Sequence, residues 1–175
     1  MAVSTNPVIS WWNRDNTSQV TLWDIGVVDA GTESNHLGVL IWNNRGGDED
    51  VANIVEASLT TRAMDASETG FVVEGKWIRA KVDSLHEVGF TPIGKGADHP
   101  VRTEGSTIVD GISHTPSDPD YVTDAGRVSA LGLKNDGTKE NSAGNFIEVT
   151  LMALPDALAP AGTFDFVVRF SYTFT

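Results

Sequence analysis

The chain has 175 residues, no cysteine, and 24 acidic against 12 basic side chains, for a formal net charge of −12. That length suits one domain, whose core would bury roughly 70% of the surface the unfolded chain exposes. The missing thiols exclude disulfides, cysteine-ligated zinc, iron–sulfur clusters and thiol nucleophiles. The acidity opposes nucleic acid and anionic membranes, and leaves either a solubilising coat or a complement to a partner with a basic face.

Met1-Ala2-Val3-Ser4-Thr5-Asn6-Pro7 has neither a basic nor an apolar signal-peptide region. No apolar run nears the roughly 20 residues that span a bilayer. The expectation is a soluble product made in the cytoplasm. Residues 1–17 read as an extended N-terminal arm ahead of a single domain at 18–175. Pro7, Trp11, Trp12 and Arg14 are the interface candidates in that arm, because tryptophan is enriched where interfaces concentrate their binding energy. The alternative is that the two tryptophans cap one end of the domain.

Helical periodicity is nearly absent. Apolar residues alternate in short runs broken by Gly, Asn, Asp and Pro, the pattern of a sandwich or barrel. Val20, Leu22, Ile25 and Val27 predict a strand with a bulge near Asp24 or Gly26. Residues 30–35 are a turn. Residues 37–42 are a continuous apolar strand, more deeply buried than the rest. Asn43-Asn44-Arg45-Gly46-Gly47 is a tight turn of residues that tolerate positive φ. Residues 54–62 predict a third strand, followed by Phe71-Val72-Val73 and by residues 77–82, with Trp42 and Trp77 in the core.

Residues 89–101, 114–126 and 134–145 read as loops, within a loop-rich insertion at 89–144. Val101 and residues 108–112 are short strands in that insertion. Ile147, Val149, Leu151 and Ala153 face one way along a strand, and Glu148, Thr150 and Met152 the other. Phe164, Phe166, Val168, Phe170, Tyr172 and Phe174 make an aromatic ladder on the last strand. Pro155, Pro160 and Gly162 separate these two runs, which are expected to pair antiparallel and carry the end of the chain into the core.

Two of these stretches carry a resemblance. Trp23-Asp24-Ile25-Gly26-Val27-Val28-Asp29-Ala30-Gly31-Thr32, with Leu37-Gly38-Val39-Leu40-Ile41-Trp42-Asn43-Asn44, resembles the opening hairpin of bacterial and viral Ig-like domains. Leu154-Pro155 and Ala161-Gly162-Thr163-Phe164, with the aromatic strand, look like the closing pair of the same class. Gly75-Lys76-Trp77-Ile78-Arg79-Ala80-Lys81-Val82 followed by Phe90-Thr91-Pro92-Ile93-Gly94 makes the layout similar to accessory proteins of tailed-phage virions. A plain seven-strand module needs fewer residues than 89–144 supply.

The resemblance implies an all-β, Ig-like antiparallel β-sandwich with long loops. It implies a virion structural protein that decorates and stabilises the capsid surface, with the major capsid protein or other virion proteins as partners. A homo-oligomer is expected, a trimer first, with no cofactor and no nucleic-acid or membrane partner. The alternatives are a tail, neck or baseplate component, and a carbohydrate-binding or adhesin module using Trp11, Trp12, Trp23 or Tyr121.

No nucleophile elbow, metalloprotease helix, phosphate loop or dinucleotide fingerprint occurs. Asp48-Glu49-Asp50 follows a glycine pair, and Asp118, Asp120 and Asp124 make a second acidic loop. Both are calcium candidates, because calcium takes six to eight oxygens, and both also read as solvated turns. His36, His86, His99 and His114 have no metal-ligand spacing among them. With so many carboxylates some pair will always be close, so a glycosidase dyad has no specificity. An enzyme is not expected.

Overall fold

Period-two alternation organises the centre of the protein. In the computed structural model, whose described residues are 5–103, 107–109, 112–114 and 128–175 (the short strands among 107–114 as backbone only), β2 (Leu37–Asn43) lies antiparallel to β10 (Phe146–Ala153). Leu37, Val39 and Ile41 stand directly opposite Leu151, Val149 and Ile147. On the far side of β10, β4 (Ile78–Val82) sets Val82 against Val149, Ala80 against Leu151 and Ile78 against Ala153. Such cross-strand apolar pairs are the unit of sheet stability. β1 (Ile9–Asn13) and β5 (Thr91–Ile93) complete a five-stranded sheet in the order β1-β2-β10-β4-β5.

A second sheet is built on β3 (Ile54–Arg62), which pairs with β11 (Val167–Phe174) on one side and with the short β6 (His99–Pro100) and β9 (Val128–Ala130) on the other. One bulge interrupts the β3–β11 ladder. A single residue of β11 there opposes two of β3, and Glu56 takes φ 51°. β7 (Thr107–Val109) and β8 (Ile112–His114) form a separate hairpin, so Ile108 and Ile112 do fall in short strands. All these pairings are antiparallel, and the fold is all-β. Ile54, Ala57 and Leu59 of the second sheet share one buried core with Val39, Ile147, Val149 and Ile93 of the first.

The deep burial expected of β2 has a structural cause. Leu40 and Trp42 point away from that core, yet both are fully buried. Phe146 packs on Trp42 at 4.8 Å between ring centroids, and Arg45 lies near the same ring. Arg14 covers Gly38, where a Cβ would come within 2.5 Å of its Nε. Both faces of the sheet's centre are therefore covered, which is why β2 reads as continuously apolar.

Five expectations are corrected. Residues 9–13 belong to the sheet and not to an extended arm: β1 pairs with β2 from Ile9↔Asn43 to Asn13↔Val39. Its apolar side chains cover core that would otherwise meet water. Residues 21–28 form no strand; after the Trp12–Gln19 bridge the chain leaves the sheet edge unpaired. Phe71-Val72-Val73 lies in one helical turn, α1 (Phe71–Glu74), started after Gly70 at φ 93°. Three apolar residues are too few to show a period. Finally, β10 and β11 do not pair with each other. Both edges of β10 are occupied by β2 and β4, and residues 154–166 carry the chain across to the other sheet. Within 89–101, expected as loop, β5 and β6 form because their neighbours offer free edges.

Candidate interaction groove

The β1–β2 connection and the β10–β11 crossing meet on one side of the molecule. Asn13 turns the chain after β1, its side-chain oxygen accepting from the N–H groups of Thr17 and Ser18 at 2.8 and 3.0 Å. Val20 donates back to the Trp11 carbonyl at 2.8 Å. Residues 21–28 then run past the start of β11 and turn at Gly26, which takes φ 73° and donates to the Asp24 side chain at 2.9 Å. Trp23 meets Phe166 edge-on, with centroids 5.9 Å apart and planes at 85°. Gly31, at φ 74°, donates to the Pro155 carbonyl at 3.0 Å and ties the far end to the loop after β10.

The opposite wall is aromatic. Phe164 stands edge-on to Trp77 at 5.3 Å, and Phe71 packs on both. The Trp77 indole N–H donates to Asp156 at 2.9 Å, so its polar atom is satisfied although the ring is almost fully buried.

Between these walls lies an open groove of about 750 Å³, floored by Val72, Trp77, Ile78 and Ala153. A smaller hollow of about 360 Å³ adjoins it at Trp23 and Phe166 and reaches Trp11 and Val39. Leu22 and Val27 on the wall of the larger groove are 82% and 99% exposed. Leu158, in the loop that closes the groove, is 94% exposed, and Phe71 and Met64 beside it also face water. Large apolar side chains gathered around one concavity mark a contact surface, whereas single scattered ones do not. Among the described residues, the charged ones on the groove wall are Asp24, Asp29 and Asp165, and no lysine or arginine lines it.

The interface candidates read from the sequence lie elsewhere. Trp11 points inward and meets Phe170 edge-on at 6.5 Å. Trp12, on the opposite face of β1, carries the Arg45 guanidinium 3.5 Å over its ring and donates to Ser10 at 3.0 Å. Pro7 is half-buried just before β1. Arg14 is committed within the chain: its guanidinium donates to Asp83 and Thr150 at 2.6 Å each and lies 3.3 Å from Glu148.

Asp48, Glu49 and Asp50 are exposed, and Asp50 accepts from the Lys134 N–H at 2.8 Å. Asp118, Asp120, Tyr121 and Asp124 lie outside the described residues, as does the side chain of His114. Among the described residues no group of three or more His, Asp or Glu is placed to hold a metal ion. His99 lies 2.9 Å from both carboxylate oxygens of Glu87, and Glu87 also accepts from the Val82 N–H at 2.8 Å. His36 is edge-on to Phe90 at 5.0 Å.

The polar loop 134–145 is held by asparagines. Asn44, at φ 62°, donates to the carbonyls of Glu49, Gly132 and Leu133. Asn145 donates to those of Asn43, Leu131 and Leu133. Asp136 accepts from Thr138 and Asn141, and these bonds lower its pKa to about 2. Sequence reasoning missed the groove because its walls come from three distant segments.

No family model matches this chain, and neither the curated proteins nor the solved structures include one significantly similar to it.

Proposed function

We propose that this chain is a non-enzymatic structural protein of a tailed-phage virion, an Ig-like β-sandwich that decorates and stabilises the outer capsid surface. Its partners are the major capsid protein or other virion proteins. It is made in the host cytoplasm, ends in the virion and assembles as a homo-oligomer, with a trimer as the first form to test. The observation that carries the reading is the groove with its exposed apolar rim, a surface built for contact with another macromolecule. The layout of strands and short strings resembling phage accessory proteins supplies the biological setting. The net charge of −12 supports docking on a protein rather than on nucleic acid.

A rigid two-sheet body suits this role. An interface of about 1,600 Å² gives one stable contact, and many copies on a shell strengthen it through multivalency. The same physics serves a tail, neck or baseplate component. A glycan-binding module is less well supported, because Trp11 and Trp12 face opposite sides of β1 and Trp23 is packed on Phe166.

The test is to mix labelled protein with purified particles, sediment them and image the pellet by electron microscopy. Symmetric extra density on the head supports the decoration role, and density on the tail supports the alternative. Protein that stays in the supernatant while binding a glycan array refutes the virion reading.

A further inference from the structure

The walls of the groove have a property beyond apolarity. Leu22, Trp23 and Ile25 on one side, and Phe164 to Phe166 on the other, belong to no ladder among the described residues. Within 21–28, the one main-chain donor with a bond is Gly26, which turns back to the Asp24 side chain at 2.9 Å. Unused main-chain N–H and C=O groups beside an apolar groove can bond to an added strand. The groove between them, of about 750 Å³, falls in the range of ligand-sized sites.

The side chains define the occupant. The floor is apolar and aromatic, so every second residue of an entering strand must be apolar. Asp24, Asp29 and Asp165 stand exposed on the walls, with no cation lining the groove among the described residues. A second copy of this chain would bring its own charge of −12 against that acidic rim.

From these observations we infer that the groove accepts an extended segment of a different protein, apolar at alternate positions and flanked by lysine or arginine, which enters as an added strand. The inference rests on reading the groove as a docking surface and specifies what docks there. Alternating apolar residues fill the floor, the main chain bonds to one or both unpaired walls, and the basic ends meet the aspartates.

The experiment uses the full chain and a displayed library of nine-residue peptides. Their centre alternates Val, Ile or Phe with Thr, and their ends are free to be Lys, Arg, Ser, Asp or Glu. The expected selection is for Lys or Arg at the ends, with binding at least tenfold weaker to the Val27→Asp variant. The double variant Asp24→Lys, Asp165→Lys, changed at exposed positions, should reverse the preference toward acidic ends. Hydrogen exchange with one selected peptide should slow at amides within 21–28 or 163–166.

Selection without basic ends, binding unaffected by Val27→Asp, or no gain in protection on either wall overturns the proposal. Self-association of the chain that Val27→Asp abolishes also overturns it, by making a second copy the occupant. Particle sedimentation separates the two readings. Peptide binding without particle attachment removes the virion role and leaves this inference. Attachment undiminished by Val27→Asp does the reverse.

Discussion

Asn43 and Asn145 bind each other twice: the Asn43 main-chain N–H donates to the Asn145 carbonyl at 2.8 Å, and the Asn145 side-chain amide returns to the Asn43 carbonyl at 3.2 Å. This pair continues the β2–β10 ladder one step past Trp42 and Phe146. Asn145 is 2% exposed and also satisfies the carbonyls of Leu131 and Leu133. Asn145→Ala leaves three acceptors without that donor. A loss of about 2–3 kcal/mol in unfolding free energy is expected from urea titration, because an unmade buried hydrogen bond costs roughly 1–3 kcal/mol. Asn145→Asp should be no better, since a carboxylate cannot donate to carbonyls.

Gly132 tests the same loop by crowding. A Cβ there would collide with the main-chain oxygen of Val51, and backbone cannot swing aside as a side-chain tip can. Gly132→Ala should cost about 1–3 kcal/mol by overpacking, read as a lower denaturation midpoint with an unchanged m-value. Gly38→Ala meets the end of the Arg14 side chain instead, and a smaller loss is expected.

The placement of β1 changes what an N-terminal truncation should do. If residues 1–17 were a free arm, deleting 1–12 would leave the domain intact. Because β1 pairs with β2 along its length and Trp11 covers Phe170, the deletion should lower the thermal midpoint and weaken the β-sheet circular dichroism signal. Trp11→Ala alone should cost about 2 kcal/mol, below the range for fully buried tryptophan because the ring is half-buried. A truncated protein as stable as the full chain would contradict the sheet assignment.

Asp136 gives a pH prediction. Bonds from Thr138 and Asn141 hold its pKa down at about 2, against 3.8 for the unperturbed group. The folded-state value is depressed, so its contribution is present above the unfolded pKa and is lost as pH falls through about 2. A carboxylate NMR titration should place the Asp136 midpoint near 2. Asp136→Asn should flatten this part of the stability profile between about pH 4 and pH 2. A midpoint at 3.8 would show that the bonds do not form in solution.

Much of the fold was legible where side chains alternate between an apolar core and something else. β2, β3, β4 and β10 appear within a residue or so of where Leu37, Ile54, Ile78 and Ile147 announce them. The failures are instructive. Val20, Leu22, Ile25 and Val27 alternate like a strand, but they lie in the connection between β1 and β2, outside the ladder, and periodicity cannot tell which backbone is hydrogen-bonded. Of the aromatic ladder, Val168, Phe170, Tyr172 and Phe174 lie on β11, while Phe164 and Phe166 precede it. Tyr172 and Phe174 are exposed and not carried into the core. The neighbour of β11 is β3 and not β10: strands adjacent in sequence usually pair, and these two do not.

The groove and the asparagine clamp were not legible at all. Trp23 with Phe166, or Asn44 with Gly132, are contacts across long stretches of chain and leave no local mark. Arg14 looked like an exposed anchor because nothing near it in sequence reveals Asp83, Glu148 and Thr150 as its partners.

The strand pairings also bear on how the molecule reaches its native state. β2 waits for β10, and β3 for β11, each more than 100 residues away along the chain. Wide loops must close before either pairing repays its entropy, so formation should be slow for a protein of this size. During synthesis the apolar β2 segment leaves the ribosome long before its partner, and must be shielded from aggregation until residue 153 has emerged.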